Sequence, residues 1–205
     1  MKFVKWKILI ITCIVCFLAI IPGVWVWNDL PDMMAVHFNI YNEADNFATK
    51  EFAVFGLPVL MALLQALSCV LNDINKRKYA NSKKAEMVSK WIIPVLTIIL
   101  QFIIIGYNLG YGIDVRKNAS LIVGVALIVI GSYLPELDYI KKHKSDIEKA
   151  KKINKFNGFV FVTMGIIMLI TTFLPPISTL IWILIIVLFS VVEEIYLVKT
   201  IKKNK

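Results

Sequence analysis

Apolar residues fall along this chain in six long runs: Ile8 to Trp27, Phe52 to Leu71, Trp91 to Leu109, Ala119 to Leu134, Phe156 to Leu174 and Ile177 to Val198. A bilayer's hydrocarbon core is about 30 Å thick and takes roughly 20 apolar residues per helix, so each run predicts a membrane-spanning helix. Pro22 and Gly23 predict a kink near the end of the first. Gly110, Gly112 and Asp114 predict a short turn after the third. Pro135 closes the fourth, and Pro175 with Pro176 stops the fifth, because proline cannot continue a helix ladder. The pattern predicts an all-α, polytopic membrane protein with six transmembrane helices.

The polar connections differ in charge. Residues 72–90 and 136–155 are lysine-rich, and the pair Glu148 and Lys152 predicts a short surface helix in the second of them. The stretch between Leu30 and Pro58 is acidic instead, with Asp32, Glu43, Asp45 and Glu51 against Lys50, and Asp29 just before it. If the amino terminus is cytoplasmic, alternation puts every Lys and Arg inside except Lys50, Arg116 and Lys117. The excess of basic residues in cytoplasmic flanks therefore predicts both termini in the cytoplasm and the acidic loop outside. The first run, preceded by Lys2, Lys5 and Lys7, is predicted to be an anchor and not a cleaved leader: it is longer than a leader's core and no small-residue cleavage site follows.

Composition agrees. The 205 residues are 59% hydrophobic with a mean hydropathy of +0.74, too apolar for an ordinary soluble domain, and the bilayer is the predicted surrounding. The net charge of +9 lies in blocks beside apolar runs, which argues against a nucleic-acid partner. A lysine-over-arginine and isoleucine bias suggests a bacterial plasma membrane protein.

Candidate chemistry is sparse. His37 with Asp32, Glu43 and Asp45 supplies residue types that bind metals, but at no compact ligand spacing, so no metal and no cofactor is predicted; a histidine bonded to a loop carboxylate is expected. Cys13 and Cys16 have C-x-x-C spacing without the βαβ surroundings of a redox site, and with Cys69 they read as small apolar residues. Ser82, Ser89 and His143 lie across the membrane from His37, so no hydrolytic constellation can assemble and the chain is not expected to be an enzyme. Gln101 and Asn108 are expected to hydrogen-bond to neighbouring helices. Glu193 and Glu194, near the end of the sixth run, are ionisable groups near membrane depth and are the candidate ion pathway of an alternative reading, a small transporter or channel.

The outer stretch resembles a known family. Leu30-Pro31, His37-Phe38-Asn39, the turn from Asn42 to Asp45, Thr49-Lys50 and then Pro58 resemble the amino-terminal domain of the SdpI family of bacterial membrane immunity proteins. Gly131 to Pro135 (GSYLP) and Lys155 to Gly165 (KFNGFVFVTMG) resemble its carboxyl-terminal half. The family commonly has Gly where this chain has Asn42; a turn needing positive φ accepts Asn better than other non-glycine residues. It also commonly carries a Gly-x-Arg-Thr-Pro-Trp motif where this chain has KKHKSDIEKAKK. The resemblance implies an amino-terminal two-helix unit, 1–90, whose motif loop spans 28–51, and a four-helix unit, 91–205. It further implies protection against a secreted antimicrobial peptide and signal transduction through a cytoplasmic repressor. The acidic loop itself favours a cationic or amphipathic peptide as partner.

Overall fold

The computed structural model describes residues 4–75, 79–80, 83–136, 138–139, 144–175, 177–178, 181–182, 184–189 and 192. Helices α1 (Trp6–Leu18) and α2 (Ile20–Trp25) form the first span, broken at Ala19. The break lies three residues before Pro22, whose missing N–H leaves the Leu18 carbonyl without its ladder donor. The kink therefore appears one turn ahead of the proline that causes it.

A single turn of π-helix, Phe52–Gly56, leads into α3 (Leu57–Asn75). Helices α4 (Lys83–Asn108) and α5 (Val115–Tyr133) follow, joined by a turn in which Gly110 and Gly112 take φ of +79° and +65°. Asp114 caps α5 by accepting from the Lys117 N–H at 2.9 Å. Two two-residue strands, Tyr79–Ala80 and Asp138–Tyr139, pair the two lysine-rich connections with each other. Helix α6 (Lys144–Thr171) is continuous over 28 residues. The surface helix expected within 136–155 is thus the beginning of α6, since nothing between Lys144 and Asn157 breaks a helix.

Among the described residues, five helices are long and apolar enough to cross a membrane, the mark of a multi-pass membrane protein. Much of the sixth expected span, 177–198, with Glu193 and Glu194, lies outside the described residues; its described positions from 177 to 192 are helical. The boundary expected at residue 90 falls inside α4, which packs against α1 and α3.

The all-α expectation needs one correction. Residues 33–49, expected as part of a loop, form an antiparallel hairpin of β1 (Met33–Phe38) and β2 (Ala44–Thr49). The apolar side chains of β1 do not alternate strictly, because register shifts flank His37. That broken alternation hid the strand from a reading based on period.

Helices α5 and α6 approach through glycines. A Cβ on Gly131 would stand 2.8 Å from the Gly158 carbonyl oxygen, and one on Gly165 would stand 2.6 Å from that of Gly124. Small residues let backbones touch where lipid gives no hydrophobic drive between helices. Gly131 belongs to GSYLP, and Gly158 and Gly165 to KFNGFVFVTMG, so both carboxyl-terminal stretches meet in this one contact.

Candidate functional site

The hairpin is built from its turn outward. Asn39 Oδ1 accepts from the N–H groups of Tyr41 (2.9 Å) and Glu43 (3.0 Å), and its Nδ2 donates to Glu43 Oε2 (2.8 Å). This side chain closes the turn as an Asx motif does. Asn42 then takes the left-handed conformation, φ +66°, as the expected turn requires, but the turn is closed between Asn39 and Glu43, and Asp45, expected at its end, already belongs to β2. Asn42 adds what glycine cannot: its Oδ1 accepts from the Val115 N–H at 2.7 Å and its Nδ2 donates to the Ile113 carbonyl at 3.4 Å. The hairpin tip is thereby tied to the start of α5.

A second tie lies along β1. Asn108 Oδ1 accepts from the Ala35 N–H at 2.8 Å while its Nδ2 donates to the Ala35 carbonyl at 3.0 Å. The amide imitates a neighbouring strand and occupies both edge groups of Ala35. Asn108 was expected to bind a helix; it binds the hairpin. Phe38 stacks edge-on against Tyr107, with ring centroids 4.5 Å apart, and Leu30 and Met34 enter a buried cluster with Ala53, Val54 and Ile105.

His37 Nδ1 lies 2.5 Å from Asp45 Oδ1, both side chains being largely exposed. With Asp45 ionised the imidazole is the donor, and the bond ties the two strands together at the register shifts. Lys50 Nζ reaches Asp32 Oδ1 at 2.9 Å and sits 5.4 Å from the centre of the Trp27 ring. The ammonium beside Asp32 holds that carboxyl below its usual range. Thr49 Oγ1 accepts from the Phe52 N–H at 3.4 Å, beginning the next helix. Pro31 is exposed and Pro58 buried. Of the sequence-expected residues, Leu30, Pro31, His37, Phe38, Asn39, Asn42, Asp45 and Lys50 therefore lie on or beside one hairpin. Pro58 acts from below it.

Pro58 has no N–H, so the carbonyls of Ala53 and Val54, its π-type and α-type partners, lose their ladder donor. Gln101 Nε2 fills in, 3.2 Å from the Ala53 oxygen and 3.4 Å from the Val54 oxygen. Gln101 was expected to bridge helices, and it does so at this break.

The opposite end of α1, α3 and α4 holds charges that the sequence reading passed over. Lys90 Nζ is 2.6 Å from Asp73 Oδ1, both side chains 1% exposed, and 3.2 Å from Glu86 Oε1. Asp73 Oδ2 accepts from the Lys5 N–H at 2.8 Å, and Lys5 Nζ pairs with Glu86 at 2.9 Å. Asp73 therefore serves the amino terminus of α1, where a negative charge is favoured. The signal was available: Glu86, Lys90, Thr97, Gln101 and Asn108 recur at helical spacing along one face of α4.

The exposed face of the hairpin end is acidic. Asp29, Asp32, Glu43, Asp45 and Glu51 are all exposed, and nearby stand Asp114, Arg116, Lys117 and the partly buried Lys50. Among the described residues no group of three His, Cys, Asp or Glu side chains is placed to hold a metal ion.

Searches of curated proteins and of solved structures returned no match. Residues 14–62, which run from α1 through the hairpin and past Pro58, match the family described as Domain of unknown function (DUF1648).

Proposed function

We propose that this chain is a bacterial plasma membrane immunity protein of the SdpI type, spanning the bilayer six times with both termini in the cytoplasm. It protects against a secreted antimicrobial peptide that is cationic or amphipathic, and it is not an enzyme. The observation that carries this reading is the acidic, exposed hairpin braced on two helices by Asn42 and Asn108. Bracing lowers the ordering cost of binding, and the carboxylates attract a cationic partner. The distribution of lysines supports the orientation, and the motif resemblance supports the biology. Capture of a cytoplasmic repressor belongs to the same proposal, as the signalling output from the lysine-rich face.

Expression in a sensitive bacterium tests it. Survival in the presence of the cognate cationic peptide should rise over an empty vector, and His37→Ala or Asp45→Asn should reduce survival at unchanged membrane abundance. Equal killing with and without the wild-type chain overturns the proposal.

A second reading, a small transporter or channel, is favoured by the buried charges of Asp73 and Lys90, since ionisable groups in membrane helices mark ion pathways. In that reading Glu193 and Glu194 join the pathway. Ion flux into vesicles that is lost in Asp73→Asn supports it, and wild-type vesicles as tight as protein-free ones reject it.

A further inference from the structure

Between α4 and α5, among the described residues, runs a groove with a cavity of about 400 Å³. Its walls include Trp91, Val95 and Ile99 from α4 and Leu121, Val125 and Val129 from α5. All but Val129 are exposed by a third or more of their surface. The groove is the seam between two packed units, since the polar face of α4 turns toward α1 and α3 and the glycines of α5 turn toward α6.

We propose that this groove binds one acyl chain of an anionic phospholipid. Length is the first argument. From Val88, at one end of the lining, to Ile99 a helix rises about 16 Å at 1.5 Å per residue, roughly half of a hydrocarbon core about 30 Å thick, so the groove is one leaflet deep. Side-chain shape is the second. Helices associate in membranes through small or polar residues, whereas these walls are bulky, branched and apolar, a surface that a flexible chain fills and a second helix does not. Charge is the third. Lys84 is exposed one turn before Val88, and Lys152 and Lys155 of α6 are exposed at the same end of the molecule, where they meet a headgroup at the membrane surface. Trp91, which lines the groove near that end, suits the interfacial zone.

Native mass spectrometry of the full chain in detergent, with phosphatidylglycerol or phosphatidylcholine added, tests the proposal. One retained phospholipid is expected, with phosphatidylglycerol preferred. Ala126→Trp, which fills the groove, should lower retention at least tenfold, Ile130→Trp outside it should not, and Lys84→Glu should erase the headgroup preference. Loss of lipid from Ala126→Trp counts only if its helical circular dichroism and elution volume match the wild type. A variant keeping Trp91 as its single tryptophan supplies a measurement that needs no filled groove: phosphatidylglycerol brominated on the acyl chain should quench it saturably at about one lipid per protein. No retained lipid, equal retention in a folded Ala126→Trp variant, or unsaturable quenching overturns the proposal. So does a disulfide from a cysteine placed at Val125 to a second copy or to a cysteine within 177–198, since that segment or copy would then fill the groove.

Discussion

The side-chain amide of Gln65 donates to the backbone carbonyl of Lys90 at 2.8 Å, the carbonyl that Pro94 leaves without a helix donor four residues later. The same amide nitrogen lies 2.9 Å from Thr12 Oγ1 and 3.1 Å from Cys69 Sγ. Gln101 does the equivalent for the carbonyls that Pro58 frees. At Pro58 and Pro94, therefore, a buried glutamine from the neighbouring helix mends the break that the proline makes in its own helix ladder. In hydrocarbon no water can do this.

Gln65→Leu should destabilise the protein by about 1–3 kcal/mol, the cost of a buried acceptor left unpaired. Pro94→Ala in the Gln65→Leu background should recover most of that, because residue 94 then supplies an N–H to the Lys90 carbonyl. Equilibrium unfolding of the four proteins of this cycle in mixed detergent measures the coupling.

Asn42 has two separable roles, backbone and tether. Asn42→Gly keeps the left-handed turn but loses the bond from Val115, while Asn42→Ala loses the bond and adds a conformational cost of roughly 1 kcal/mol. Amide hydrogen exchange across 33–49 should accelerate in the order wild type, Asn42→Gly, Asn42→Ala. Equal rates in all three would show that Asn108 alone holds the hairpin.

Breaking the buried pair at the other end should be costlier. Asp73→Asn leaves Lys90 buried without its closest partner and should cost about 3–5 kcal/mol, whereas the double change Asp73→Leu with Lys90→Met should cost much less. Thermal unfolding in detergent distinguishes the two.

Asp32 supplies a pH prediction. Its carboxyl is held below the ordinary value of 3.8, chiefly by the hydrogen bond from Lys50 and then by its charge. A depressed carboxylate contributes its stabilisation above the ordinary value and loses it as pH falls through the folded value. The Lys50 tie should therefore be constant near neutrality and fail only in acid. A carboxyl-carbon NMR titration should show the Asp32 midpoint moving up toward the ordinary value in Lys50→Met, and moving the same way with added salt, since Asp32 is fully exposed.

Gly131→Leu should separate α5 from α6, because the new Cβ would meet the backbone of Gly158 and Val162 at 2.8 Å. A cost of about 1–3 kcal/mol or more follows from overpacking against atoms that cannot turn aside. Gly110→Leu, where a Cβ meets nothing within 4 Å, separates strain from crowding: φ there is +79°, so its cost is conformational only.

The helical spans were legible in the sequence because solvation by hydrocarbon demands about 20 apolar residues in a row, and that demand is local. The motif positions from Leu30 to Pro58 were legible as a group through the family resemblance, which also supplied the turn, and backbone sterics explained how Asn42 could stand where the family has glycine. The hairpin was not legible, because its irregular register hides the two-residue period. Nor were the partners: Asn108 with Ala35, Asn42 with Val115, Gln65 with Lys90 and Asp73 with Lys90 lie 17 to 73 residues apart in the chain. Sequence by itself determined where the long apolar runs lie and that Gln101 and Asn108, set within one of them, would need partners there. Only the tertiary structure decided which partner each one takes, because a buried polar group can bond only to what the packing of helices brings within about 3 Å, and packing is a property of the whole chain.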